Sequence, residues 1–253
     1  MRRSPILLAL SLSLSAAILT GCTSAPVTGR QQLMLMSGAE AAGMGRDAYT
    51  RILQEKGIAS NRQQTAMVNR AGERIAAANG MAGQHWEFNL INDDTPNAFA
   101  LPGGYVGVNT GLFQVVRTED QLAAVMGHEI AHVVARHPEE RISREALVGT
   151  GAAVLGAAAP DLAGLASSAA TLGLILPFSR EQESEADVIG LQYMARAGYD
   201  PRAAVEVWQN FAAAGGAEPP AFLSTHPAHG DRIARLQSRM PEALKIYEAN
   251  RAQ

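Results

Sequence analysis

The 253 residues predict an α+β fold, mostly helical, with a small β-sheet set beside one central helix. Three observations carry that reading. Capping-box patterns at Ser37, Ser60 and Thr118 open long runs of helix-forming composition. Residues 86–91 alternate Trp86, Phe88 and Leu90 with polar side chains, and residues 105–108 follow a Pro102-Gly103-Gly104 turn, so a strand pair is expected there. An apolar content of 47% in a chain of this length is enough for one sizeable core.

The first 21 residues stand apart from that core. Arg2 and Arg3 make a basic start, residues 6–19 an apolar run, and Leu19-Thr20-Gly21-Cys22 a small-residue cleavage site ending in cysteine. This resembles a bacterial lipoprotein signal, cleaved before Cys22 with a lipid on its sulfur. An uncleaved anchor is the alternative, but a bilayer span needs roughly 20 apolar residues and the run is shorter. Cys22 is the only cysteine, so no internal disulfide is expected. Thr23 follows it in place of the aspartate that, in lipoproteins of this kind, favours the inner membrane. The expected location is therefore the periplasm, lipid-anchored at the outer membrane. The net charge of −3 gives no reason to expect nucleic acid as a partner.

Residues 22–36, with Pro26 and Gly29, read compositionally as a tether, and residues 37–253 as one domain. Helices are expected from Ser37 to about Lys56 and from Ser60 to about Ala78, stopped by Gly57 and Gly80. Asn97, Ala98, Phe99 and Ala100 are a candidate edge strand on which an extended peptide could lie. Periodicity alone reads them equally well as part of a buried hairpin. Residues 146–178 are rich in Ala, Gly and Leu. They read as a buried or interfacial helical hairpin, a candidate lid, in preference to a membrane span.

The central helix carries the chemistry. After the Thr118 cap, Leu122, Val125, Met126, Ile130, Val133 and Val134 recur at helical spacing around His128-Glu129-Ile130-Ala131-His132. At about 100° per residue, two histidines four apart point within about 40° of each other and can reach one ion. Glu129 beside them is placed to take a proton from a water acidified by zinc. The pattern points to zinc-dependent peptide hydrolysis, and it needs a third ligand. Several carboxylates of the acidic stretch Glu181-Gln182-Glu183-Ser184-Glu185-Ala186-Asp187 compete for that role. Glu183 and Asp187, four apart, share one helix face, so Glu183 can bind metal while Asp187 orients a ligand from behind. Glu185 points elsewhere, and Glu181 suits a helix N-terminus through its dipole.

Four blocks make the pattern specific: Pro26-Val27-Thr28-Gly29-Arg30, Asn97 through Gly104, Gly127 through His132, and Glu183 through Asp187. In this order they resemble the zinc endopeptidases that include HtpX, BepA, LoiP and the CAAX prenyl endopeptidases. The resemblance implies a zincin-like gluzincin domain binding one Zn2+ through His128, His132 and Glu183, with Glu129 as base and Asp187 behind the site. It also implies a role in quality control of the cell envelope, with unfolded or misassembled envelope proteins as substrates. The helical-repeat extension of BepA-like members is not expected after Gln253.

His226, in Ser224-Thr225-His226-Pro227, resembles a histidine that BepA-like members place near the zinc. It either occupies the fourth position and silences the enzyme or caps a loop. His229 fits the same role less well, and His85 and His137 read as structural or solvated. A plugged or structural site would instead fit a chaperone or assembly factor, against which the carboxylate of Glu129 speaks.

Overall fold

Ser37 opens the first long helix as its pattern predicts, in a computed structural model that describes residues 22–154, 177–214, 221–227 and 230–251, of which residues 22 and 147–154 by backbone alone. Ser37 accepts from Glu40 N and the Glu40 carboxylate accepts from Ser37 N, closing the capping box of α1, Gly38–Lys56. α2, Arg62–Ala78, starts later than predicted, because Asn61 and not Ser60 turns its side chain onto Gln64 N. Thr118 caps α3, Glu119–Val134, but the Gln121 side chain accepts from Arg117 N and leaves that box half made.

The sheet forms from β3, Glu87–Ile91, β4, Ala98–Leu101, and β5, Tyr105–Asn109, after an N-terminal hairpin of β1, Cys22–Ser24, and β2, Gln31–Leu33. β5 is central, parallel to β3 with Glu87 opposite Tyr105, and antiparallel to β4 with Ala98 opposite Val108. The strand expected at 97–100 therefore begins at Ala98, with Asn97 just outside it. Gly103 and Gly104 make the turn between β4 and β5 with φ of 90° and 85°, a region that favours glycine. Among the described residues, four further helices join α4, His137–Val154: α5, Arg180–Arg196, α6, Arg202–Ala214, the short α7, Ala221–Thr225, and α8, Arg232–Asn250.

Composition reads 22–36 as a tether, yet the structure pins this segment to the body. Gln32 Nε2 donates to Ala135 O at 2.5 Å, Leu35 N to Ser143 Oγ at 2.9 Å, and Arg30 is ion-paired to Glu140 and Glu185. The hairpin expected within 146–178 and the signal at 1–21 fall mostly or wholly outside the described residues. Among the described residues no helix is long and apolar enough to cross a membrane.

α3 is enclosed on all sides: every residue from Gln121 to His132 is buried. Its apolar positions are therefore not a stripe but a full girdle, as expected of a helix threaded through a core. Leu122, Met126 and Ile130 are fully buried, each contributing about 1.5–3 kcal/mol. α5 crosses α3 where Gly127 meets Gly190. A Cβ on Gly190 would lie 2.8 Å from His128 N, and one on Gly127 3.0 Å from Gly190 O. Only glycines allow this approach, and it brings the first turns of α5 beside the histidines of α3.

Candidate metal centre

Four donor atoms, one each from His128, His132, Glu183 and His226, lie within 4.8 Å of one another, all on buried residues. His128 Nε2 is 3.0 Å from His132 Nε2 and 3.3 Å from His226 Nδ1. Glu183 Oε1 is 3.3 Å from His132 Nε2 and 3.0 Å from His226 Nδ1, and Oε2 is 3.5 Å from His128 Nε2. The i, i+4 spacing on α3 aims the two imidazoles the same way, and the Gly127–Gly190 crossing delivers Glu183 between them. Glu185, on the same helix, turns away to His137, Thr28 and Arg30.

The surroundings sort the roles. Asp187 Oδ1 sits 3.0 Å from His128 Nδ1, so that nitrogen donates and Nε2 keeps its lone pair for the cluster. Arg232, on α8, donates to Glu183 Oε2 at 2.7 Å and to Asp187 Oδ1 at 2.6 Å, with its Cζ 3.3 Å from the centre of the Trp208 ring. Nothing in the sequence flags Arg232: it reads as one more basic residue on a polar helix. Phe178 packs on His132 with ring centres 3.9 Å apart and planes tilted by 31°, and Phe222 stacks on His226 at 4.4 Å. His137 is fully buried against His132, where sequence reasoning places it as structural or solvated. His85 packs on Tyr105, and His229 lies outside the described residues.

Electrostatics fit a cation here. Burial lowers the His128 pKa but Glu183 outweighs it, leaving about 9: the acids around this ring call for a positive charge. A divalent ion among the four donors would supply it while His128 stays neutral. Burial takes His132 well below 6.5, which keeps it a lone-pair donor. Burial opposes ionisation of Glu183, but the facing imidazoles of His226 and His128 hold it well below the carboxylate range. A set of two imidazoles and a carboxylate, with a further histidine at the fourth position, matches the ligand preferences of zinc.

Glu129 faces the other way, into a cleft lined by Ile52, Ile91, Asn97, Phe99, Ala100 and Phe178. Burial raises its carboxyl above the ordinary 4.5, against the pull of His226, His128 and the Ala100 N–H. Glu129 Oε1 accepts no hydrogen bond among the described residues and lies 3.3 Å from His226 Nε2. His226 thus stands between base and cluster. β4 is the sheet edge on this side, with no strand beyond it among the described ones. Asn97 Oδ1, just before it, is buried and has no hydrogen-bond partner among the described residues.

A buried His-Glu-x-x-His helix, a glutamate delivered from a later helix and a sheet edge beside the base define a zincin-like metallopeptidase of the gluzincin kind. Residues 62–240 match the model of peptidase family M48. The chain belongs to peptidase family M48. It is 42% identical over 224 residues to the mitochondrial metalloendopeptidase OMA1 of Schizosaccharomyces pombe, covering 86% of this chain and 66% of that protein. OMA1 of Arabidopsis thaliana is 36% identical over 223 residues, 86% and 44% of the two chains. The beta-barrel assembly-enhancing protease of Escherichia coli K12 is 36% identical over 188 residues, 69% and 38%. The chain thus spans less than two thirds of the length of these relatives. The BepA resemblance is matched by a relative of that kind; the mitochondrial relatives lie outside the group the sequence blocks bring to mind.

Proposed function

We propose that this chain is a zinc-dependent endopeptidase of the bacterial cell envelope that removes misfolded or stalled outer-membrane and periplasmic proteins. The observation that carries the peptidase reading is the convergence of His128, His132 and Glu183 with Glu129 facing a cleft at a sheet edge. Zinc, when bound by those three residues, supplies a Lewis acid that polarises the scissile carbonyl and acidifies water. Glu129 takes the proton of the attacking water and passes it to the leaving amine; its raised pKa suits both tasks. Residues 97–100 receive an extended substrate as an added strand beside β4, with Asn97 Oδ1 free to accept from its backbone. Asp187 holds His128 in the tautomer the metal needs.

Casein cleavage by the purified chain tests this. Wild type should cut, Glu129→Gln should lose about 10²–10⁴-fold in rate while still binding zinc, and a chelator should abolish cutting. Equal cleavage in all samples would sink the reading.

His226 favours a second reading, in which the site is plugged and the chain acts as an assembly factor. Its Nδ1 lies on the cluster and its Nε2 on Glu129, so it excludes substrate at rest. Activity that rises in His226→Ala supports a releasable plug; no activity in either protein favours the assembly factor. The envelope setting rests on the lipoprotein-like residues 1–22 and the BepA-type relative. Mass spectrometry of the N-terminal peptide should find a diacylglyceryl Cys22, and Cys22→Ser should release the protein from membranes. An unmodified Cys22 removes the anchor and leaves the peptidase untouched.

A further inference from the structure

The turn Pro26-Val27-Thr28-Gly29-Arg30 lies outside the cleft, and the catalytic reading gives it no task. Three side chains nevertheless lead from it to the cluster. His132 Nδ1 faces His137 Nδ1 at 2.9 Å, and His137 Nε2 meets Glu185 Oε2 at 3.1 Å. Glu185 Oε2 also takes Arg30 Nε at 2.5 Å, and its Oε1 accepts from the Thr28 hydroxyl. The other two guanidinium nitrogens of Arg30 clamp Glu140 at 3.0 and 2.7 Å, where Gln182 donates at 2.9 Å.

The protons in this chain run one way. Both oxygens of the Glu185 carboxylate accept, Oε2 from Arg30 Nε and Oε1 from the Thr28 hydroxyl. His137 Nε2, 3.1 Å from that carboxylate, is therefore the donor, and an imidazole with its one hydrogen on Nε2 has none on Nδ1. Its Nδ1 is then a lone pair, and can only accept the hydrogen on Nδ1 of His132. That leaves His132 Nε2 unprotonated, and Nε2 is the nitrogen facing His128 and Glu183. His137 is fully buried and the Glu185 side chain is 4% exposed, while Arg30 at the outer end is 23% exposed. The chain of contacts thus begins at the protein surface and ends on a cluster residue.

We propose that His137 and Glu185, held by Thr28 and Arg30, are positioning residues through which the N-terminal arm fixes the tautomer and ring orientation of His132, so that docking of the arm sets how tightly the site binds zinc. This rests on His132 being a zinc ligand. Groups behind a ligand histidine typically change metal affinity by about 10–100-fold when removed. A bystander role, in which Arg30 merely staples the hairpin to Glu140, would lower stability and leave zinc affinity alone.

The test measures zinc affinity by competition with a chromophoric chelator, together with the visible spectrum of the cobalt-substituted protein and thermal unfolding of each metal-free variant. His137→Phe should weaken zinc binding by about 10–100-fold and alter the cobalt spectrum. Arg30→Ala should weaken it several-fold in the wild-type background and not at all in the His137→Phe background, because the link is already cut. Its effect on unfolding should be the same in both. Arg30→Ala acting equally on zinc in both backgrounds, or on unfolding alone, overturns the relay. If His137→Phe does not fold, Glu185→Gln replaces it in the same cycle with the same expected outcomes. A wild-type chain that binds no zinc overturns the metal reading and the relay together; a wild type that binds it beside variants that bind equally well overturns the relay alone.

Discussion

His128 and His132 leave one helix four residues apart, yet they are held from opposite sides by unlike means. Behind His128 stands a compact block: Asp187 bonds it directly, and Arg232 ties Asp187 to Glu183 over the face of Trp208. All its members come from the later helices and all are buried. Behind His132 stands a file of side chains, His137, Glu185 and Arg30, that ends at the surface on the N-terminal arm. A buried charge block is all or none, since removing one member strands the others without water. A file with one end in solvent can be loosened by degrees.

The largest expected effect breaks the block. Asp187→Ala leaves Arg232 with one carboxylate and His128 Nδ1 without an acceptor, and should cost about 3–5 kcal/mol in denaturant unfolding. Arg30→Ala should cost less, about 1–3 kcal/mol by the same measurement, because Glu140 keeps its bonds from Arg144 and Gln182 and Glu185 keeps those from Thr28 and His137. The reverse order would turn the comparison upside down.

Gly190→Ala strikes the crossing that joins the two sides. The added methyl would meet backbone on α3 at 2.8 Å, where no side chain can yield, so a loss of about 1–3 kcal/mol is expected with weaker zinc binding. Wild-type stability and affinity in this variant would mean that α5 has room to shift and that the crossing does not set the position of Glu183.

The file also has a pH signature. Burial works against ionisation of Glu140 and Glu185. Bonds from Arg30 and Gln182 nevertheless hold Glu140 below the carboxylate range, and bonds from His137, Thr28 and Arg30 hold Glu185 at about 2. A carboxyl depressed in the folded state adds stability above its unfolded pKa, near 4.5, and loses it as pH falls toward the folded value. Tm should therefore drop between pH 4.5 and 2, and the slope should flatten in Arg30→Ala. Parallel curves would remove Arg30 from the account.

The smallest effect concerns the bend between the two regions. Arg136 sits at φ 59° between α3 and α4, a left-handed conformation that favours glycine. Arg136→Gly should raise Tm or leave it unchanged, by at most about 1 kcal/mol, less whatever its ion pair with Glu139 contributes. A clear loss would show that the side chain matters more than the turn.

That bend also explains what the sequence hid. Reading His137 as structural or solvated assumes that α3 continues past His132 and carries it off the ligand face; α3 ends at Val134, and the turn at Arg136 swings His137 back onto His132. The ligand pattern on α3 and the Glu183–Asp187 pair were legible because helical periodicity fixes both within one element. Arg232 was not, because its burial depends on Trp208, Glu183 and Asp187 arriving from two other helices. The arm misled for a related reason: Pro and Gly make 22–36 look like a linker, while its anchoring lies in Arg30 and Gln32, whose partners are about 100 or more residues away. The starts of α1, α2 and α3 are legible to within a residue, since Asn61 and Ser60 cap equally well by type and only geometry chooses between them.

The Gly127–Gly190 contact has a consequence for how much variation the chain can absorb. Because backbone touches backbone there, the separation of α3 and α5 is set by atoms that have no alternative rotamer to retreat into. Changes of side chain elsewhere along the two helices can be taken up by repacking, whereas a single methyl group at the crossing cannot.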